Sequence, residues 1–154
     1  MKKIINILML ALIAVCTSCT PEETPEPTLP VNTYNLDGTW QLAQLNEATL
    51  ADSTYLYIVL NRKGTFSIYT NLSSQYPVMQ TGSFTIEEDW RVGSIISGTY
   101  DFGQGAWHNE YIITDLYKGS MVWTAKQDAT DVQKFVRIDE VPEHIAEAVR
   151  PVED

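Results

Sequence analysis

The chain has 154 residues, 44% hydrophobic and 19% charged, which suits one compact domain with short extensions. Ten basic residues against 20 acidic ones give a formal net charge of −10. That surface repels phosphate backbones and lacks a basic patch for anionic lipid headgroups, which argues against nucleic-acid binding.

Lys2-Lys3 lead into an apolar stretch from Ile4 to Val15, followed by the small residues Thr17 and Ser18. A basic start, a short apolar middle and a small-residue region are the parts of a secretory signal. The apolar run falls short of the roughly 20 residues that span a bilayer. Cys16 and Cys19 share the C-x-x-C spacing of redox and zinc motifs, yet no second ligand pair or strand–helix context accompanies them. The stretch "VCTSC" resembles instead the lipobox of bacterial lipoproteins, in which small residues precede a cysteine that is acylated and becomes the mature first residue. Ser18 makes Cys19 the acceptor and residues 1–18 the signal peptide; Cys16 departs from the pattern, where leucine is commonest. The resemblance implies a fatty-acyl anchor, such as palmitate, as the chain's sole attachment to a membrane. Loss of Lys2 and Lys3 with the signal leaves eight basic residues against 20 acidic ones, a formal charge of −12. With Cys16 gone, one modified cysteine remains and no disulfide forms, so stability must come from a packed core.

Residues 20–30 hold four prolines and three glutamates, a composition that predicts an extended tether over residues 19–35. Glu22 and Glu23, just behind Cys19, resemble the export signals that send some Gram-negative lipoproteins to the cell-surface face of the outer membrane. Without that signal the same residues are a solvated spacer.

From Leu36 to Glu140 the hydrophobic period is mostly two. The strand candidates are 38–46, 54–61, 65–71, 78–88, 92–102, 106–117, 120–127 and 132–139, rich in β-branched and aromatic residues. Glycine or Asp/Asn marks most corners, as in "RKG", "GQG" and "DATD". No helical segment of a dozen residues interrupts them, so successive strands should pair antiparallel. Eight strands in succession over 36–140 predict an all-β, up-and-down antiparallel barrel, since closure removes exposed edges. A two-sheet sandwich is the alternative, but short turns leave little room for its long connections. Pro142, Glu143 and the stripe Val141, Ile145 and Val149 predict a short helix against the barrel within the tail, 141–154.

"DGTW" (37–40) opens the first strand and "FVRI" (135–138) closes the last. A Gly-x-Trp at the start of strand one and an arginine near the end of strand eight resemble the lipocalin-like families. With "GTF", "GSF", "SGTY" and a final "VRI" followed by proline, the chain resembles the small lipocalin-like lipoproteins of Gram-negative anaerobes over residues 36–142. The resemblance implies a non-catalytic barrel that holds a small apolar or amphipathic ligand. The mid-barrel turn of classical lipocalins has only a partial echo in "ITDLY" (113–117).

In a closed meander, Trp40 early in strand one and Arg137 late in strand eight share one end. The indole can plug that end beneath the guanidinium, a cation–π contact of about 0.5–2 kcal/mol. The tight connections 61–64, 88–92 and 117–119 lie at the same end. The connections 46–54, 71–78, 102–106 and 127–131 include the two longest and lie at the other, where a mouth would open. Leu42, Ile58, Phe66, Ile68, Phe84, Ile96, Tyr111 and Trp123 would line the interior, either as cavity walls or as a filled core.

No nucleophile–base–orienter set is visible, so the chain reads as non-enzymatic, with no cofactor and no metal. His108-Asn109-Glu110 is half of a deaminase signature, and Glu87-Glu88-Asp89 is a solvated turn. Asp52-Ser53-Thr54 resembles a short O-glycosylation acceptor and is equally an ordinary turn. Trp90, in the polar turn "EEDWRVG", does not suit a barrel lining and suggests glycan stacking or a protein contact. Two readings therefore stand: a monomeric surface lipoprotein binding a small ligand in its barrel, or an accessory protein with a filled barrel whose loops meet a glycan or protein.

Overall fold

The computed structural model describes residues 25–149. The signal over 1–18, Cys19, the Glu22-Glu23 pair and the chain from Arg150 onward lie outside the described residues.

Among the described residues, nine strands and two short helices follow in chain order. A single helical turn, α1 (Thr33–Leu36), leads into β1 (Gly38–Leu45) and a two-residue return, β2 (Ala48–Thr49). Then come β3 (Leu56–Asn61), β4 (Thr65–Thr70), β5 (Val78–Asp89) and β6 (Gly93–Tyr100). The chain continues through β7 (Tyr111–Thr114), β8 (Ser120–Ala125), β9 (Asp128–Ile138) and α2 (Glu143–Ala148). β2 folds back on β1, β1 pairs antiparallel with β3, each strand from β3 to β9 pairs antiparallel with the next, and β1 also pairs with β9. With β2 only an appendage, the remaining eight strands close an up-and-down barrel, the architecture expected from the strand pattern.

Inward and outward residues alternate because successive side chains of a strand point to opposite faces. On β4, Phe66, Ile68 and Thr70 are buried, while Thr65 is exposed and Ser67 and Tyr69 are half-buried. On β8, Met121, Trp123 and Ala125 are buried. The inward set forms one core spanning the staves, from Leu36 and Trp40 through Ile58, Ile96 and Leu116 to Phe135. Burying each of these large side chains contributes about 1.5–3 kcal/mol.

Several local features depart from expectation. The extended tether expected over 19–35 is already structured in its second half. Glu26 accepts a hydrogen bond from Lys118 N (3.3 Å), and Leu29 N donates to Leu116 O (2.7 Å). Leu29 and Val31 pack against the core, and α1 follows, its N-terminus capped by the Asn32 side chain, which accepts from Asn35 N (2.8 Å). Two apolar side chains within reach of the barrel outweigh the prolines around them.

The strand expected over 106–117 is the second departure. Only Tyr111–Thr114 enters the sheet, and β7 meets β6 through just Ile95↔Ile112 and Ile96↔Tyr111. Residues before it swing off the ladder after a single bridge, Thr99↔Ala106, and send Trp107 into the barrel. Third, β9 begins at Asp128, earlier than the expected 132.

At the far end of the chain, α2 is shorter than the apolar stripe suggested. Ile145 is buried, and Val141 and Val149 are half-buried.

Candidate functional site

The two ends of the barrel differ in construction. At one end, Trp40 and Arg137 are direct partners in the β1–β9 ladder. The Arg137 guanidinium carbon sits 4.1 Å from the centroid of the indole, and Trp40 is 0% exposed. Trp40 Nε1 donates to Leu36 O (2.9 Å), which ties the plug to α1. Arg137 donates three more bonds: Nε to Lys118 O (2.6 Å), Nη1 to Asp37 O (2.5 Å) and Nη2 to Asn35 O (2.8 Å). Its fork thus takes carbonyls left over at the C-terminal end of α1, where a cation is favoured. Partial burial pulls the guanidinium pKa down and Asp37 opposes the shift, yet an arginine remains charged.

Gly38 explains the spacing of the Gly-x-Trp motif. Its φ is +140°, and a β-carbon there would overlap Arg137 Nη1. Asp37 meanwhile holds Arg62 through its side chain (Nε to Oδ2, 2.8 Å), and Arg62 stacks over Tyr34 at 4.4 Å. This end is closed.

At the opposite end lies a cavity of about 160 Å3. Ile58, Ile68, Trp123 and Phe135 form its apolar floor, with Leu56 and Tyr100 nearer the rim. Trp107, His108, Tyr111 and Gln133 complete the wall. His108 is exposed and marks the solvent side, while Trp123 and Phe135 are buried. The aromatic rings form a continuous chain: Phe66 to Trp107 at 5.0 Å, Trp107 to Trp123 at 5.8 Å, Trp123 to Phe135 at 4.9 Å, and Tyr111 to Trp123 at 5.5 Å.

Polar groups cluster at the rim. Gln133 Nε2 donates to the Tyr111 hydroxyl (3.1 Å), and Asn109 Nδ2 donates to Asp131 Oδ2 (3.1 Å). Desolvation raises the Tyr111 pKa above the ordinary tyrosine value; hydrogen bonding from Asn109 and Gln133 opposes that shift and Asp131 reinforces it. Burial likewise raises Tyr100, with Tyr111 adding to the effect. Both phenols are therefore neutral donors over the physiological range.

Of the eight residues expected to face inward, Ile58, Ile68, Tyr111 and Trp123 meet around this cavity. Leu42, Phe66, Phe84 and Ile96 point inward but are packed in the core and do not line it. The residues that sequence reasoning missed are Leu56, Tyr100, Trp107, His108, Gln133 and Phe135. Phe135 and Gln133 were legible in principle, since both alternate with Arg137 along β9. Trp107 was legible by the same counting, since a strand continuing over 106–117 turns it to the same face as Tyr111; what was not legible is that its segment leaves the ladder.

The remaining candidates disperse. Glu110 pairs with Lys126 (2.8 Å), which separates it from any joint role with His108. Glu87, Glu88 and Asp89, expected in a solvated turn, instead end β5: Glu88 accepts from the hydroxyl of its cross-strand partner Ser94, and Asp89 accepts from Arg91 N in the turn that follows. Among the described residues no three His, Cys, Asp or Glu side chains converge as a metal site, and no helix among them is long and apolar enough to cross a membrane.

No protein-family model matches the chain, and no curated protein matches it. Among solved structures, the chain is similar to a lipocalin-like protein from Bacteroides uniformis ATCC 8492. The two are 19% identical, with a TM-score of 0.49 over 68% of this chain and 99% of that one.

Proposed function

We propose that this chain is a non-catalytic binding protein that takes a small amphipathic molecule into the open end of its barrel, held at a cell surface by an acylated Cys19. The observation that carries this reading is the cavity of about 160 Å3 with an apolar floor and a polar rim. Drug-sized sites start at roughly 300 Å3, whereas a dry apolar cavity of about 150 Å3 accepts benzene. The occupant is therefore one ring with small substituents, and a long acyl chain is too large.

The route of the N-terminal segment supports the anchored arrangement. Residues 26–29 cross the turn beside Leu116 and Lys118, at the closed end. A tether leaving from there directs the mouth away from the membrane.

The reading is tested by titrating toluene into the full chain, following heat and tryptophan fluorescence. Saturable binding that Leu56→Trp abolishes supports it. Absence of binding in the unsubstituted chain overturns it. The anchor is tested separately: Cys19→Ala should stop the protein sedimenting with membranes, and external protease should remove the native form from intact cells. Protection until lysis would instead assign it to the periplasmic leaflet.

A second reading has one observation in its favour. Trp90 is 87% exposed at the closed end, with the Arg91 guanidinium 4.7 Å from its ring centroid. A large exposed indole suits stacking on a glycan or insertion into a protein partner. Trp90→Ala would abolish such a contact and leave toluene binding unchanged.

A further inference from the structure

We infer that the closed end of the barrel rests on a zwitterionic lipid surface, with the Trp90 indole seated among the headgroups. This inference rests on the acylated Cys19 of the proposed function and gives that anchor a second contact, made by the barrel itself.

Trp90 stands at the tip of an overhang. β5 pairs with β4 only as far as Ser83 but continues to Asp89, and β6, which leaves the turn at Gly93, first meets β7 at Ile95. The turn 90–92 therefore projects beyond the strands on both sides. Trp90 is 87% exposed and Val92 42% exposed, whereas the other three tryptophans pack into the barrel. Indoles gather at membrane–water interfaces because the ring prefers apolar surroundings and its N–H prefers polar ones.

A second aromatic–arginine pair stands at the same end. Tyr34 is 66% exposed, and Arg62, on the turn between β3 and β4, lies over its ring as Arg91 lies over Trp90. Each pair joins a ring suited to the headgroup layer to a cation that can hold a lipid phosphate. Arg62, Lys63, Arg91 and Lys118 all stand exposed on turns of this end, whereas Lys126 and Lys134 lie elsewhere. The exposed acids Glu87, Glu88 and Asp115 are interspersed with them, so an anionic surface is disfavoured and a zwitterionic one fits. The open end exposes Tyr76 and Phe102 too, yet among the described residues no arginine stacks on either ring.

The tether decides which end can reach the membrane. Glu26 comes seven residues after Cys19, a reach of at most about 25 Å. Its carboxylate accepts from Lys118 N, in the turn that follows β7, and β7 is the neighbour of β6. The chain thus enters the fold at the turn next to the one that carries Trp90, which keeps that tip within the tether's length of the lipid surface.

Lipids with quenching chains test this contact. The acylated chain is reconstituted into phosphatidylcholine vesicles, with and without bromine atoms on the acyl carbons nearest the headgroup. Bromine quenches only indoles that reach it, and the other three are enclosed by the barrel. Brominated vesicles should therefore remove part of the tryptophan emission, and Trp90→Phe, a change at an exposed position, should abolish that loss. A loss that persists in Trp90→Phe would mean that another indole meets the lipid, and the inference is overturned. If the chain sediments with the vesicles but bromine leaves its emission unchanged, Trp90 stands in water; the inference is overturned while the anchor holds, and the indole is left to a glycan or a protein. If the purified chain carries no acyl mass on Cys19, the anchored reading falls and this inference falls with it.

Discussion

Gly38 and Arg137 fit together only because one of them has no side chain. The guanidinium occupies the space a β-carbon of Gly38 would need, and from there it reaches Asp37 O and Asn35 O and covers the Trp40 ring. The Gly-x-Trp motif is thus a three-residue device for seating an arginine from the last strand on the first.

Gly38→Ala should therefore be costly on two counts. A φ of +140° is a conformation few L residues adopt, worth about 1–3 kcal/mol, and the displaced guanidinium loses its carbonyl partners. Urea denaturation should show a loss of at least about 2 kcal/mol. A neutral substitution would mean that the seat is not under strain.

Trp40→Ala should cost about 3–5 kcal/mol through the void it leaves. Arg137→Ala should cost about 2–4 kcal/mol, since stacking and three backbone bonds go together. Their guanidinium–ring distance of 4.1 Å makes the two energies interdependent, so the double variant should cost less than the two singles combined. Arg137→Lys should recover little, because one ammonium cannot replace a planar fork spread over three carbonyls. Additive losses would show that the two residues do not act as a unit.

Gly98→Ala should evict Trp107 from the barrel, since the indole rests where the methyl would go. Overpacking of this kind costs about 1–3 kcal/mol. The fluorescence maximum should move to longer wavelength as the ring meets water, and segment 101–110 should become easier for protease to cut. An unshifted spectrum would place the ring elsewhere in solution.

Alkaline pH should loosen the mouth. Burial raises the pKa of Tyr111 and Tyr100 in the folded chain above the ordinary value of 10.0. The folded state holds these protons more tightly than the unfolded state, so their contribution is complete below pH 10 and declines as pH rises through the folded values. Stability followed by denaturant between pH 8 and 12 should fall beyond about pH 10, and Tyr111→Phe should shallow that fall. A decline unaffected by Tyr111→Phe would assign the titration to other groups.

Local chemistry made the staves readable. Alternation on β4 and β8 carries its own meaning, because period two allows only one face to be buried once the strand is formed. The pairing of Trp40 with Arg137 was also accessible, since strand order and direction in a closed meander bring those two positions to the same end. The inward direction of Phe66, Ile96 and Trp123 follows from the same counting. The path of residues 101–110 does not. "AWHNEYIITDLY" continues the strand pattern, and nothing within it says that Trp107 should leave the ladder. That outcome depends on Gly98, which lies on a different strand and opens a gap in the inner wall that an indole can fill. The same holds for Leu29 and Val31: a proline-rich stretch reads as solvated until the turn at Leu116 offers it a carbonyl and the barrel offers apolar cover. Whether the interior is filled or hollow is decided by how rings from five different segments fit together, and a residual volume of about 160 Å3 is a property of that fit alone.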